Sequence, residues 1–284
     1  GRIWPMLKEW GDLFDREDFL YVASQGKEGR KPDSTAFALS NSGFYSMRSS
    51  WDKGAICIVL KCGPDGGGHC QPDNGTFELY AGGRHLMPDA GSYIYSSDPE
   101  GRGWFRQTKV HQTLTLNGAN SAYAPRKLLW QPGSNLDVLV VENASYPELT
   151  HRRAVFFVDK KYFVIVDEAI GKATGDVDIH FQLGPGDAIY DSSHFAVKSD
   201  FKDGWNVLVQ TTPQPGLRLN EEEGWVSAPS GQYCRAGAAR RAWLRRARAD
   251  SGRPGAAGEP GARKGYPASF PVRPRPRRTG RPAP

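Results

Sequence analysis

The hydrophobic pattern changes period twice along this chain. Between Trp4 and Ala23 the apolar residues Leu7, Trp10, Leu13, Phe14, Phe19 and Leu20 recur at near-helical spacing, which predicts two short helices, with Asp15 as the cap of the second. After the break at Lys31-Pro32-Asp33, short apolar runs alternate with Gly, Asn, Asp and Pro clusters. These predict strands over 37–39, 43–48, 55–61, 77–81, 84–87, 110–116 and 136–142. The strongest signal is 153–166, where Ala-Val-Phe-Phe-Val, the polar turn Asp159-Lys160-Lys161 and Tyr-Phe-Val-Ile-Val read as a hairpin of two buried strands. Further strands are expected over 176–183, 195–198 and 206–211. Strands at this spacing without intervening helices imply a mainly β fold, an antiparallel β-sandwich.

The pattern fades after residue 230. Residues 231–284 are rich in Arg, Ala, Gly and Pro, with few branched aliphatic residues, and such a segment is expected to lack the apolar surface needed to offset its ordering entropy. A nucleic-acid arm, a disordered linker and out-of-frame translation of a GC-rich gene all produce this composition, and the last is the reading adopted. Within it, 240–248 is expected to form at most a helical turn. The tail distorts the charge balance, because it holds 14 of the 37 Lys and Arg and two of the 31 acids. The first 230 residues therefore carry a net charge of −6 within a chain of +6, which argues against nucleic acid as the partner of the body. The 284 residues suffice for a packed core. No apolar run approaches the length of about eighteen residues that signals a membrane span, and the four cysteines form neither a disulfide framework nor a short-spaced zinc motif.

Candidate chemistry concentrates in the loop before the strand at 77–81. Gly66-Gly67-Gly68 lacks the Lys-Ser/Thr of a phosphate loop and is read as backbone that approaches a ligand. It leads into His69-Cys70-Gln71-Pro72-Asp73-Asn74-Gly75-Thr76-Phe77-Glu78-Leu79, a polar run of the kind that carries function on a rigid sheet edge. On pattern alone His69 is an ordinary surface histidine, Asp89 in Met87-Pro88-Asp89-Ala90-Gly91 an Asx turn, and His111 a solvated residue on the polar face of a strand with Thr113 and Thr115.

Several stretches weigh against that plain reading. Lys31-Pro32-Asp33-Ser34-Thr35-Ala36-Phe37, Ser49-Ser50-Trp51-Asp52, the run from Gln71 to Leu79, Pro88-Asp89-Ala90-Gly91, Arg106-Gln107-Thr108, His111 with Thr113 to Leu116, Lys160-Lys161-Tyr162-Phe163 and Leu219-Asn220-Glu221-Glu222-Glu223-Gly224 together resemble the sheet domain of the heparinase II/III-like polysaccharide lyases, in order and spacing, over residues 1–230. The resemblance implies that residues 1–30 are the last helices of an α/α toroid, that 31–230 form the β-sandwich domain, and that the rest of the toroid is a missing N-terminal partner.

It also implies a function: cleavage of a uronate-containing glycosaminoglycan, heparan sulfate-like, by β-elimination, with this incomplete chain weak or inactive alone. The alternative is a non-catalytic carbohydrate-binding sandwich. By resemblance His69 is the catalytic acid/base, and Gln71, Asp89 and His111 hold a structural divalent metal, calcium, manganese or zinc. An anionic substrate calls for cationic contacts, for which Arg48, Arg84 and Arg106 are the candidates, with Lys53, Arg102 and Lys109 behind them; Asn74 of the polar loop is a further expected substrate contact. The remaining expectations are a monomer with an acidic polysaccharide as partner, no nucleic acid, no membrane association, and a periplasmic or secreted bacterial location.

Overall fold

The computed structural model describes residues 3–227 and 233–248, the latter as backbone except for the side chains of Leu244 and Arg245. Two helices open the chain, α1 (Ile3–Leu13) and α2 (Glu17–Ala23). Asp15 does not cap α2. It takes a left-handed backbone, φ 52°, and the amide of the next residue, Arg16, returns to the Gly11 carbonyl at 2.9 Å, so Asp15 closes α1 in a Schellman arrangement. Arg16 then sits at the start of α2 and pairs with Asp18 at 2.6 Å.

Strands β1 (Ala36–Leu39), β2 (Phe44–Arg48), β3 (Cys57–Lys61), β4 (Phe77–Ala81) and β5 (Arg84–Met87) form an antiparallel sheet in sequence order. Gly43 makes the β1–β2 turn possible: its φ is +74°, and a Cβ there would sit 2.2 Å from the Cys62 carbonyl oxygen. The chain then runs through α3 (Pro99–Phe105), a 3₁₀ turn at Thr108–Val110 and β6 (Leu114–Leu116) into β7 (Pro125–Gln131), β8 (Leu136–Tyr146), β9 (Leu149–Val158) and β10 (Tyr162–Gly171). The last four make a second antiparallel sheet in the order β10-β9-β8-β7. The expected strand over 110–116 is thus broken: its first half is helical turn and loop, and only its last three residues pair, with β11 (Gly175–Pro185).

The expected hairpin is present. Asp159 and Lys160 both take left-handed backbones, φ 51° and 57°, which the right-handed twist of the flanking strands requires. Its strands are buried unequally, however. β9 is interior to the sheet and alternates buried and half-buried residues, whereas β10 is the edge strand and leaves Tyr162, Val164 and Val166 exposed on its outer face.

Downstream, β12 (Ala188–Asp191), β13 (Ala196–Ser199) and β14 (Leu208–Gln210) form a small three-stranded sheet, and β15 (Arg218–Ser227) and β16 (Tyr233–Arg248) join β11 and β6 in the order β15-β16-β11-β6. The sheet therefore continues beyond 230, and residues 240–248 are extended rather than a helical turn. β16 lies between two partners, so its backbone groups are satisfied on both edges whatever its side chains. Its register sets Asp178 opposite Arg245 and Glu222 opposite Arg241. Residues 249–284 lie outside the described part.

One core joins these sheets. Tyr45, Met47, Ile58, Leu60 and Phe77 from the first pack with Leu139, Val141, Val155 and Phe157 from the second, Phe181 and Leu183 from the third and Val197 from the fourth. Each such side chain contributes about 1.5–3 kcal/mol on burial. The fold is mainly β, with packed antiparallel sheets, as the sequence predicts.

The core is not apolar throughout. On β9 the inward positions Val155 and Phe157 give way to Arg153 and His151, with Arg153 0% exposed, and Asp167 lies directly opposite Arg153 on β10. Asp167 accepts from His151 Nε2 at 2.7 Å and from Arg153 Nε at 2.7 Å. Burial, assisted by the positive charge of Arg153, holds His151 below its ordinary value against the pull of Asp167. Asp167 is also held low, because Arg153 and His151 outweigh its burial. A group with a depressed folded value binds its proton more readily in the unfolded chain, so it favours unfolding in acid. His151→Gln is therefore expected to reduce the stability lost between pH 7 and pH 5, by about 1.4 kcal/mol per unit of depression, in paired urea titrations. An unchanged difference between the two pH values would mean His151 takes up a proton freely in the folded state.

Candidate catalytic loop and cation pocket

The loop from Cys62 to Thr76 joins β3 to β4 and is closed at its base by the ladder. The Gly75 amide donates to the Lys61 carbonyl at 2.8 Å and Lys61 returns a bond to Thr76 at 2.9 Å. β5 ends at Met87 on the same end of the sheet, because Met87 faces Leu79, so Pro88 to Tyr95 emerges beside this loop. α3 and the following segment complete the surroundings: Arg106 donates to the Cys70 carbonyl at 2.7 Å, and Thr108 to the Pro72 carbonyl at 2.5 Å.

His69 is exposed at the tip of the loop. Its Nδ1 is 3.2 Å from the hydroxyl of Tyr95, and the two rings meet edge to face at 5.6 Å. Arg102 lies 4.6 Å above the Tyr95 ring and is anchored through the carbonyls of Ser92 and Ile94. Beneath this group, Tyr93 stacks on Phe105 and Trp104 packs on Trp225. A Cβ on Gly67 or Gly68 would meet nothing within 4 Å, so the backbone before His69 is open to the surroundings.

Behind the loop is a buried polar pocket. His111 is 1% exposed and its Nδ1 is 2.7 Å from Asp89 Oδ2, while Asp89 Oδ1 accepts from the Gly91 amide at 2.7 Å. Burial works to lower His111, yet the charge and hydrogen bond of Asp89 outweigh it and raise the imidazole. Asp89 is correspondingly held low, His111 outweighing its own burial. His111 Nε2 and Gln71 Oε1 are buried without any hydrogen-bond partner. With Nδ1–H donated to Asp89, these are two acceptors lacking a donor, which costs about 1–3 kcal/mol for each such group and is the pattern a cation relieves. Ligand atoms of Asp73, Asp89 and His111 all lie within 4.8 Å of one another, and Asp73 is paired with Lys61 at 2.5 Å. Carboxylate, amide oxygen and imidazole together suit a divalent metal, so the residues present fit one. The solvated histidine that strand alternation suggests is overturned, since the polar face of Thr113 and Thr115 is itself interior.

The heparinase II/III-like C-terminal domain model matches residues 31–254. The chain belongs to the heparinase II/III-like family. It is 45% identical over 224 residues to the heparin-sulfate lyase of Pedobacter heparinus, covering 77% of this chain and 34% of that protein. To the heparin-sulfate lyase of Bacteroides thetaiotaomicron it is 34% identical, covering 78% of this chain and 34% of the relative. The crystal structure of heparan sulfate lyase HepC from Pedobacter heparinus superposes with a TM-score of 0.78 at 42% identity, over 85% of this chain and 38% of that one. The chain thus spans about a third of the length of the curated relatives it matches.

Within this heparinase II/III-like domain, the expected site residues separate into two groups. His69, Gln71, Asp89, His111 and Arg106 converge around the loop. Arg48 and Arg84 do not: Arg48 faces Cys57 and Arg84 faces Ala81, at the opposite end of the sheet from Lys61 and Phe77. With a rise of about 3.3 Å per residue the whole length of β3 intervenes. Arg48 instead covers Trp51 at 4.2 Å, and Arg84 covers Phe201 at 4.4 Å and pairs with Asp203.

Asn74 also departs from expectation. It is 1% exposed, accepts from the Gly63 amide at 2.9 Å, and donates to the Gly63 carbonyl at 3.0 Å and to Asn143 Oδ1 at 3.1 Å. Its amide ties the loop to itself and to β8, leaving nothing for a sugar. Asn74→Ala is expected to lower stability by about 1–3 kcal/mol for each partner left unsatisfied, read as a fall in the urea midpoint, with the affinity of the remaining folded protein for glycosaminoglycan unchanged.

Asp73, Tyr95 and Tyr123 belong to the site without having been expected there, whereas Arg102, expected among the cationic contacts, lies over the Tyr95 ring. Tyr123 lies with its ring 5.9 Å from Lys61 Nζ, and its phenol is raised by burial and then by the negative charge of Asp73. Asp73 had a signal, as a carboxylate two residues from Gln71 in the polar loop; the two tyrosines had none in local spacing, because they reach the loop from distant parts of the chain.

Proposed function

We propose that this chain is the sheet-domain portion of a lyase that cleaves a uronate-containing, heparan sulfate-like polysaccharide by β-elimination, with His69 as a proton-transfer residue. The observation that carries the reading is an exposed imidazole whose Nδ1 is engaged by a tyrosine hydroxyl, while Nε2 has no hydrogen-bond partner among the described residues. In the reaction the proton on the uronate carbon beside the carboxylate moves to a base. The electron pair forms a double bond to the neighbouring carbon, and the glycosidic oxygen on that carbon leaves and takes up a proton. The C–H bond is a very weak acid, so positive charge must meet the developing enolate-like oxygen. His69 has the residue type suited to moving the proton near neutral pH, and Tyr95 fixes its ring. Arg106, bonded to the Cys70 carbonyl, and Arg102, over the Tyr95 ring, supply positive charge for carboxylate or sulfate groups.

Gln71, Asp89 and His111, with Asp73 beside them, are the residues that would hold a divalent cation. Such an ion would cross-link the His69 loop to the segment carrying His111, a structural role. Bacterial relatives named for heparan-type substrates favour a periplasmic or secreted site of action, and no described helix is long and apolar enough to cross a membrane.

A non-catalytic carbohydrate-binding domain is the second reading, favoured by the exposed Tyr95 ring and the Arg102 cation beside His69, which suit holding a sulfated sugar without chemistry. Incubating the chain with heparan sulfate, alone and joined to the remaining two thirds of a relative, separates them. Retention on immobilised heparan sulfate with ultraviolet absorbance from unsaturated uronate in the joined form supports the lyase. Retention without that absorbance in either form supports the binding domain, and neither signal removes both.

A further inference from the structure

We infer that Arg153 is a positioning residue that clamps the His69 loop and the His111 segment together from inside the core. Arg153 heads the large side chains that are fully buried among the described residues. Its guanidinium makes contacts in two directions. Towards β10, Nε and Nη2 donate to the two oxygens of Asp167 at 2.7 and 3.0 Å. Towards the site, Nη1 donates both to the Gly75 carbonyl and to the Gln112 carbonyl, each at 2.6 Å. Gly75 ends the loop that carries His69, Gln71 and Asp73, and Gln112 follows His111. One planar group thus fixes the separation of the two strips that carry Gln71 with Asp73 and His111; Asp89 comes from a third, after β5.

The neighbours of Arg153 reinforce the same two strips. Thr113 donates to the Asn74 carbonyl at 2.7 Å and lies 3.5 Å from His151 Nδ1. His151 Nε2 in turn bonds Asp167. Gly75 has φ +89°, and a Cβ there would meet Thr113 Oγ1 at 3.0 Å and His151 Cε1 at 3.1 Å, so the loop end is pressed onto the cluster. The Phe77 ring lies 5.5 Å from the guanidinium carbon.

A buried ion pair is a poor source of stability, since packed apolar residues of similar volume often serve as well or better. Its advantage is directional. An arginine fork offers donors at fixed angles that lysine cannot reproduce, and here they address two backbone carbonyls from different strips at once. Residues behind metal ligands act in the same manner, and losing them costs about 10–100-fold in metal affinity. This role rests on the cation-pocket reading only for the affinity it tunes; the clamping of the two strips stands apart from it.

The test is Arg153→Lys in the same chain, read by amide hydrogen exchange and by calorimetric titration with calcium, manganese and zinc salts separately. Leu139→Ala, a fully buried apolar change on β8 whose side chain makes no hydrogen bond to either strip, serves as a control for general destabilisation. Arg153→Lys is expected to speed exchange in peptides covering 62–76 and 108–113 at least about tenfold, with β8 protected as before, and to weaken cation binding about 10–100-fold. Leu139→Ala should lower the melting temperature without that selective pattern. A melting temperature lowered by Arg153→Lys with both strips protected and cation affinity intact would overturn the inference. If Arg153→Lys fails to fold, Thr113→Val removes one arm of the same clamp and must loosen both strips; unchanged exchange there overturns it equally. Should the unmodified chain take up none of the three cations, the pocket reading falls, while the exchange data still decide the clamp.

Discussion

His69→Ala, made in the chain joined to the remaining two thirds of a relative, is expected to cut the formation of unsaturated uronate by about 10²–10⁴-fold, the usual contribution of a positioned general acid or base. The loss should fall on kcat, because the imidazole acts on a proton in flight and not on the carboxylate or sulfates that hold the chain. Retention on immobilised heparan sulfate should be unchanged. Folding should be unaffected too, since His69 is exposed and its ring bonds only the Tyr95 hydroxyl among the described residues. That separation makes the variant informative: loss of turnover with intact binding and an intact unfolding transition points to chemistry, whereas undiminished turnover removes His69 from the mechanism. Substituting Arg48 or Arg84, at the far end of the first sheet, should leave the same assay unaltered.

The mainly β architecture was legible because it is written in local features. Turn residues punctuate β1 to β5 at short intervals, and Asp159-Lys160 between two branched apolar runs specified the β9–β10 hairpin. Elements without alternation were missed. β7 reads Pro-Arg-Lys-Leu-Leu-Trp-Gln and α3 carries two glycines in seven residues, so neither has the period of its own class; tertiary contacts decide them. β16 is the sharpest case. An Arg- and Ala-rich run looks unable to fold alone, yet a strand between two partners is held by a backbone ladder that composition does not encode. The described part also offers charge partners: Arg245 bonds Asp178 at 2.7 Å and meets Asp176 at 3.0 Å.

The site was legible to a different degree. Resemblance pointed to His69, Gln71, Asp89 and His111: Asp89 and His111 meet at 2.7 Å and Gln71 reaches the Gly91 carbonyl beside them, while His69 stands exposed on the same loop as Gln71, against Tyr95; pattern alone had made His111 a solvated residue. The alternation of His111, Thr113 and Thr115 does not exist as a strand face, because 111–113 is loop and Gln112 is as buried as its neighbours; the polar groups are interior because Asp89, His180 and backbone carbonyls receive them. Asn74 misled for the complementary reason: a polar residue in a functional loop can be spent on holding the loop. Arg48 and Arg84 misled because charge in a sequence carries no position, and register is what carried them away from His69.

Gln71 gives the second large effect, and its sign depends on the cation. In chelator-treated protein the buried Gln71 Oε1 is an acceptor with no donor, and its amide nitrogen reaches only the Gly91 carbonyl at 3.4 Å. Gln71→Ala should therefore be neutral or slightly stabilising in chelator, because an unsatisfied buried group is removed at the loss of one long bond. With calcium, manganese or zinc at about 100 times the dissociation constant, the unmodified protein should gain about 2.7 kcal/mol, a rise in melting temperature of roughly 5–10 °C for a domain of this size. Gln71→Ala should forfeit most of that rise and so become the less stable form. His111→Ala should lose the rise as well, but with a lower starting point, because it also strands the Asp89 carboxylate. A Gln71→Ala variant destabilised equally with and without cation would show that the amide oxygen serves packing alone, and the three residues would then no longer form a metal site.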